Sequence, residues 1–177
     1  ASYSYCFLQL EGEARGVLAK SYNYFEQLFL NQMPYCLLIP KAAWAELGGY
    51  DESMRKGYED WEFNIRLGAA GYFGHVVQSP LFHYRVTSGG MLLSQSNRLH
   101  GELWGQIQSK HVHLYRMPQL LSLWRQWRHR PSTYPLALYF GWLAVHRLLP
   151  ASAFASLFRW LRKRSHSRRV TAKGSEA

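Results

Sequence analysis

The acidic pair formed by Glu59 and Asp60 stands directly before Trp61, at the start of a run that is typical of a helix. Carboxylates at a helix start interact favourably with the helix dipole and accept backbone N–H bonds, worth roughly 0.3 to 1 kcal/mol each. This structural role is the default interpretation. The surroundings favour a second role, because the pair lies between a Gly-Gly loop and the stretch "SPLFHYRV" at 79–86.

Two further sets of residues invite a metal-binding interpretation, and we reject both. His111 and His113 are close in sequence, but neither a carboxylate nor a cysteine accompanies them at a useful spacing. Cys6 and Cys36 are 30 positions apart, which matches neither a metal site nor a disulfide-rich secreted scaffold. The cysteine usage therefore favours a reducing compartment.

Composition and charge limit the classes of protein. The 177 residues, 47% hydrophobic and 16% aromatic, suffice for one domain with a sizeable core. Residues 1–115 hold 9 Lys and Arg against 10 Asp and Glu, whereas residues 116–177 hold 12 against 1. The asymmetry predicts an acidic partner for the C-terminal part, either nucleic acid or anionic lipid. A nucleic-acid binder would spread its positive charge over a contact face, so the slightly acidic larger part argues against that class.

The elements that precede the acidic pair follow from the hydrophobic pattern. Residues 3–10 and 17–22 predict the two strands of a hairpin across the turn "EGEARG". Residues 23–32 predict a short helix with Asn23 as its N-cap. The apolar run "YCLLIP" at 35–40 then predicts a buried strand.

The elements around the pair follow in the same way. Residues 41–49 predict a short helix that ends with Gly48 in the left-handed conformation. A second helix is predicted from Glu59 to Gly71, followed by two short strands separated at Pro80. After these, residues 95–111 predict another helix.

Four motifs, in their order and spacing, resemble the C-terminal half of family 2 glycosyltransferases, which are inverting enzymes of the GT-A fold. The resemblance extends from about Asn23 to Met91. The motifs are "PKAAW" at 40–44, "GGYDE" at 48–52, "YEDWEFNIRLGAAGY" at 58–72 and "PLFHYRV" at 80–86.

The resemblance implies an α/β fold: a partial GT-A sheet, like that of nucleotide-diphospho-sugar transferases, with covering helices and a mostly helical C-terminal extension. We divide the chain into the acceptor-side half of a GT-A domain at 1–93, a helical extension at 94–150, and a basic amphipathic helix with a disordered tail at 151–177.

The same resemblance assigns chemistry to the acidic pair. An inverting transfer needs a base that takes the proton of an acceptor hydroxyl as it attacks the anomeric carbon. By the family's "ED" motif, Asp60 is that base. Glu59 would hold Asp60, contact the acceptor or raise the proton affinity of Asp60 by like-charge proximity. Trp61 is either a wall of the acceptor pocket or a core residue.

The "GGYDE" loop is expected on the acceptor side of the site. Gly48 and Gly49 would let the backbone approach a sugar closely, and Asp51 or Glu52 would accept hydrogen bonds from its hydroxyl groups. A helix C-cap followed by an Asp-containing turn explains the same residues structurally. Both interpretations can hold together.

The donor side is less well represented. Arg55 and Lys56 are candidates for neutralising the donor diphosphate, or are solvated loop charges. In GT-A enzymes the divalent metal, manganese or magnesium, is bound mainly by an Asp-x-Asp motif in the N-terminal half, and some members add a histidine. "LFHYR" resembles that position, so His83 is a candidate manganese ligand or a structural histidine.

The departures from the family pattern are informative. No Asp-x-Asp sequence occurs in these 177 residues, so we expect an incomplete enzyme that lacks the nucleotide-binding half and is inactive alone. The Gln-x-x-Arg-Trp signature of processive members is also absent, which argues against a cellulose or chitin synthase.

The C-terminal region suggests where such an enzyme would act. The apolar stretch at 135–145 is too short to span a bilayer. Residues 151–164 have an apolar face and basic residues elsewhere, as in an interfacial helix, although a helix packed on the domain would look the same. We expect a cytoplasmic protein, peripheral at the membrane's cytoplasmic face, active in cell-envelope polysaccharide biosynthesis.

The expected partners are a nucleotide-sugar donor, a glycan or lipid-linked acceptor and, through the tail, an anionic membrane surface, with no nucleic acid. The alternative function is a non-enzymatic basic module that binds membrane or nucleic acid. The order of the motifs favours the enzyme.

Overall fold

The computed structural model describes residues 2–33, 35–87, 89–90, 96 and 98–161. Within these residues the chain forms three strands and seven helices, which confirms the predicted α/β class. The strands are β1 (Ser2–Gly12), β2 (Gly16–Leu18) and β3 (Phe73–Val86). The helices are α1 (Tyr24–Gln27), α2 (Lys41–Leu47), α3 (Glu59–Ala69), α4 (His100–Lys110), α5 (Met117–Trp127), α6 (Leu136–Leu148) and α7 (151–161).

The strands form one sheet in the order β2-β1-β3. β1 and β2 are antiparallel, which confirms the predicted hairpin, although β2 is only three residues long. β1 and β3 are parallel and pair over their whole length, from Ser2 opposite Phe73 to Gly12 opposite Val86. The connection between them carries α1, α2 and α3, so α3 leads directly into β3.

The prediction of two strands separated at Pro80 is wrong, because β3 is one strand of 14 residues. Pro80 lies opposite Phe7, and the pairing register shifts on both sides of Phe7. A proline cannot donate a ladder hydrogen bond, but bulges and edge strands tolerate it. β3 is an edge strand of the described sheet, so the register shift accommodates Pro80 without ending the strand.

The prediction of a buried strand at 35–40 is also wrong. This segment forms a single antiparallel bridge, in which Ser4 and Leu38 exchange two backbone hydrogen bonds of 2.9 Å. The Leu38 side chain is 78% exposed. A short apolar run cannot distinguish a buried strand from a surface segment, because nothing in it specifies a pairing partner.

The ends of the first three helices follow their local chemistry, as predicted. Asn23 caps α1 by accepting the backbone N–H of Glu26 at 3.3 Å. Gly48 ends α2 in the left-handed conformation at φ 72°, and Gly71 follows α3 at φ 85°. The helix predicted over 95–111 is observed from His100 to Lys110, and Gln95 lies outside the described residues.

An aromatic-rich core joins the sheet, α1 and α3 to the later helices. Trp61, Phe63, Ile65 and Leu67 of α3 are all at most 3% exposed. The same core contains Trp104 of α4, together with residues of α5, α6 and α7. The acidic start of α3 is therefore attached to a rigidly packed helix.

The apolar face of α7 packs on the domain. Phe154 is fully buried with its ring centroid 4.4 Å from that of Trp142, and the Phe158 ring stacks on His100 at 3.7 Å. For the described part of the tail, this arrangement matches the packed-helix alternative. Trp160 and Leu161 remain 51% and 42% exposed, and residues 162–177 lie outside the described residues. Among the helices described, none is both long and apolar enough to span a bilayer.

Candidate active site

Asp60 is partly buried in the first turn of α3, where two donors hold its carboxylate. The backbone N–H of Trp61 donates to Oδ1 at 2.7 Å, and the side-chain amide of Asn31 donates to Oδ2 at 3.1 Å. Burial raises the pKa of Asp60 to about 6, the Trp61 hydrogen bond opposes this rise, and the neighbouring charge of Glu59 adds to it. A carboxyl group with a pKa just below neutrality suits general base chemistry.

Tyr58, directly before the pair, has an unusual backbone conformation. Its φ of 69° makes it the one non-glycine residue with positive φ in the described part of the chain. Its hydroxyl group lies 2.8 Å from Nδ1 of the buried His100 on α4. Strained residues of this kind persist where the surrounding structure holds them, and they cluster at functional sites. No pattern in the sequence predicts this conformation.

Trp61 lies in the core, which matches the interpretation of Trp61 as a core residue. Its side chain is 3% exposed, and its indole N–H donates to the backbone carbonyl of Gln27 at 2.6 Å. This contact fixes the start of α3 against α1. Trp61 therefore positions the acidic pair rather than lining an open acceptor pocket.

Glu59 lines an open cleft of about 220 Å³ next to the acidic pair. The cleft brings together four of the predicted site residues, although Asp60 itself is not among its lining residues. The lining residues are Tyr50, Asp51, Glu52, Met54, Arg55 and Glu59.

The "GGYDE" loop is held by a local turn and by hydrogen bonds from neighbouring helices. Gly49 has a φ of 71°, and a Cβ added there would lie 2.8 Å from the Trp44 ring, so the loop requires glycine. Asp51 accepts the backbone N–H of Ser53 at 2.9 Å and pairs with Lys110 at the end of α4. The hydrogen bond from Lys110 holds the pKa of Asp51 well below its usual range. The predicted Asp-containing turn is therefore present.

A buried network that the sequence analysis missed connects α3 to this loop. Arg66 donates to both carboxylate oxygens of Glu62 at 2.9 Å, and His111 lies 2.9 Å from the same carboxylate. Arg66 also donates to the backbone carbonyls of Leu47 and Gly49, at 2.5 and 2.7 Å. The four-residue spacing of Glu62 and Arg66 on one helix is a signal for this ion pair.

The comparisons with known proteins identify the domain. The family model described as glycosyltransferase like family 2 matches residues 9–127, about two thirds of the chain. The chain belongs to glycosyltransferase-like family 2. Neither curated proteins nor solved structures give a match.

Family membership is consistent with the architecture, and the match covers more of the chain than the sequence motifs do. The described sheet and helices are consistent with a partial GT-A-like fold of the nucleotide-diphospho-sugar transferase kind. The match runs beyond Met91, where the resemblance of the sequence motifs ends, and includes α4 and α5. Both helices pack in the same core as α3. A glycosyltransferase of this family uses a nucleotide-sugar donor and an acceptor in general.

The two basic candidates for the donor diphosphate are solvated. Lys56 forms an ion pair of 3.1 Å with Glu102 on α4, and both side chains are more than half exposed. Arg55 is exposed, and its Nε donates to the backbone carbonyl of Glu52 at 3.2 Å. These contacts match the alternative of solvated loop charges.

His83 lies on β3, where its Nδ1 is 2.6 Å from a carboxylate oxygen of Glu11 on β1. Both side chains are substantially exposed, and the hydrogen bond from His83 lowers the pKa of Glu11. Among the described residues, no group of three or more His, Cys, Asp or Glu side chains could hold a metal ion. We assign no step of the reaction to a metal held by these residues alone, and a role for His83 as one ligand of a metal bound mainly elsewhere stays a prediction.

Proposed function

We propose that the protein transfers a sugar from a nucleotide-sugar donor to a hydroxyl group of a glycan or lipid-linked acceptor, with inversion at the anomeric carbon and Asp60 as general base. The observation that supports this proposal most strongly is the state of Asp60. Asp60 lies in a domain of a glycosyltransferase family and is partly buried. Its carboxyl group accepts hydrogen bonds from Trp61 and Asn31, and its pKa is about 6.

The proposed step is a single displacement. The acceptor oxygen forms a bond to the anomeric carbon while the bond from that carbon to the diphosphate oxygen breaks, and the electron pair leaves with the nucleotide diphosphate. The proton of the acceptor hydroxyl goes to Asp60. Attack opposite the leaving group inverts the anomeric configuration. With a pKa of about 6, Asp60 is mostly ionised at pH 7 and is a stronger base than an ordinary aspartate.

Glu59 is proposed to assist in two ways. Its negative charge adds to the proton affinity of Asp60. Its side chain also lines the open cleft with Asp51 and Glu52, where a carboxylate would accept hydrogen bonds from the hydroxyl groups of an acceptor sugar. That a preceding nucleotide-binding half supplies the donor and metal sites stays a prediction.

We further propose that the protein binds its acceptor at an anionic membrane surface, on the cytoplasmic side. The support is the charge distribution, with 12 basic residues against 1 acidic residue in 116–177, and the exposure of Trp160 and Leu161 on α7. Aromatic and basic residues together suit the headgroup region of a bilayer. The alternative of a non-enzymatic basic module is disfavoured by the family match.

The product's stereochemistry tests the reaction. We would incubate the full-length protein with nucleotide-sugar donors, an acceptor and manganese or magnesium, and record proton NMR spectra at early times. We expect the anomeric configuration of the product to be opposite to that of the donor. A product with retained configuration would overturn the single displacement and the role of Asp60 as its base.

A further inference from the structure

Asn31, just after α1, is the residue whose side chain reaches the Asp60 carboxylate. Its Nδ2 donates to Oδ2 of Asp60 at 3.1 Å, across 29 positions of sequence. Its own Oδ1 accepts two hydrogen bonds, from the side-chain amides of Gln27 and Asn64, both at 3.3 Å. Neither the family motifs nor the charge pattern point to this residue.

The direction of this hydrogen-bond chain is fixed by a backbone group. The backbone N–H of Gln32 can only donate, and it lies 3.1 Å from Oε1 of the buried Gln27. The amide nitrogen of Gln27 therefore faces Asn31, whose oxygen must accept. It follows that the Asn31 amide nitrogen faces Asp60. A donor held in this way stabilises a carboxylate and not a protonated acid.

Other charged or titratable groups surround Asp60 without donating to it in the described contacts. Glu59 on α3 is a like charge. Tyr50, after α2, and Tyr84, on β3, are close enough that the charge of Asp60 contributes to raising their pKa values. Lys20 lies behind Asn31, where its ammonium group donates to the Asn31 backbone carbonyl at 2.9 Å. Besides the backbone N–H groups of Trp61 and Asp60, the Asn31 amide is thus the side-chain donor that stabilises the charged form in the described contacts.

We propose that Asn31 is a positioning residue, whose amide keeps the Asp60 carboxylate ionised and in one orientation, ready to receive the acceptor proton. The catalytic part of this inference rests on the proposed function. The physical part, the coupling of Asn31 to the charge of Asp60, can be measured without turnover.

The first test is a carboxyl carbon NMR titration of Asp60 in the full-length protein. Removing the donor in Asn31→Ala should raise the pKa of Asp60 by about one to two units, since a hydrogen bond to a charged group is lost. Asn31→Asp keeps the volume but replaces the donor by a second carboxylate, so it should raise the pKa at least as much. The control is Gln119→Ala, which removes an exposed amide on α5. An Asp60 pKa that is the same in the Asn31 variants and the control would overturn the proposal.

The second test is the pH dependence of transfer. In Asn31→Ala, the acidic limb of the turnover profile should move to higher pH by the same one to two units, with turnover at pH 6 reduced roughly 5- to 50-fold and KM changed by less than threefold. A merely structural role would lower turnover equally at every pH, which would also overturn the proposal. If the wild-type protein transfers no sugar, the proposed function fails, while the NMR titration still decides the coupling.

Discussion

The buried carboxylate of Glu62 provides the sharpest prediction about stability. Glu62 is 2% exposed, and Arg66 and His111 both bind its carboxylate. Glu62→Gln keeps the side-chain volume but removes the charge, and it turns one acceptor oxygen into a donor that faces other donors. Breaking a buried pair in this way costs about 3 to 5 kcal/mol, because the remaining charge is left uncompensated.

Urea denaturation at pH 7 measures this loss. With a slope of roughly 2 kcal/mol per molar urea, the midpoint should fall by about 1.5 to 2.5 M. The matched control is Glu102→Gln, which removes a helix carboxylate that forms an exposed ion pair with Lys56. The control should cost less than about 1 kcal/mol. A Glu62→Gln protein as stable as the control would refute the structural role of the network.

The pH dependence gives an independent check. Burial alone raises the pKa of Glu62, but the hydrogen bonds from His111 and Arg66 outweigh it, and the net pKa is lowered. A lowered pKa means that Glu62 contributes stability above its unfolded pKa of about 4.5 and loses it as the pH falls through the folded value. The difference between wild type and Glu62→Gln should therefore shrink below pH 4.5. A difference that stays constant down to pH 3 would contradict this linkage.

Two further predictions concern packing and the tail. Gly68→Ala should lower the free energy of unfolding by about 1 to 3 kcal/mol, because a Cβ there would overlap the buried ring of Tyr24. Gly141→Ala, at an open position of α6, should raise the free energy of unfolding by about 0.5 to 1 kcal/mol. Thermal melts compare the pair, and equal effects would contradict the close contact of α1 with α3. The full chain should bind anionic vesicles weakly and salt-sensitively, at about 1 kcal/mol per basic residue at most. Binding should weaken clearly when residues 162–177, which hold 6 of the 12 basic residues in 116–177, are deleted. Flotation that is unchanged by the deletion would overturn the membrane proposal.

Features with a local cause could be predicted from the sequence. Asn23 caps α1 and Gly48 ends α2 because the side chain, or its absence, determines the backbone at that position. The start of α3 at Glu59 follows from the helical pattern and the acidic first turn, although its N-cap, Tyr58, makes no side-chain cap hydrogen bond. The family motifs added the acidic pair and the "GGYDE" loop, which the family match supports as parts of a glycosyltransferase domain.

Features that depend on distant partners could not be predicted. Pro80 suggested a strand break because a proline cannot donate a ladder hydrogen bond. The strand accommodates it through a register shift opposite Phe7, which the sequence does not reveal. Asn31 and Asp60 are 29 positions apart, and Glu62 and His111 are 49 apart, so no spacing rule connects either pair. Hydrogen bonds of this kind become visible only when packing has brought α1, α3 and α4 together.

The central claim is that Asp60 takes the acceptor proton, and turnover of Asp60→Asn in the full-length enzyme tests it most directly. Asparagine keeps the volume and can still accept the Trp61 N–H, but its amide nitrogen would face the Asn31 donor, so the melting temperature should fall modestly while the affinity for the nucleotide sugar stays near that of wild type. Turnover should fall roughly 10² to 10⁴-fold, the usual contribution of a general base, and Glu59→Gln should cost less. Turnover within a few-fold of wild type in folded Asp60→Asn protein would contradict the assignment.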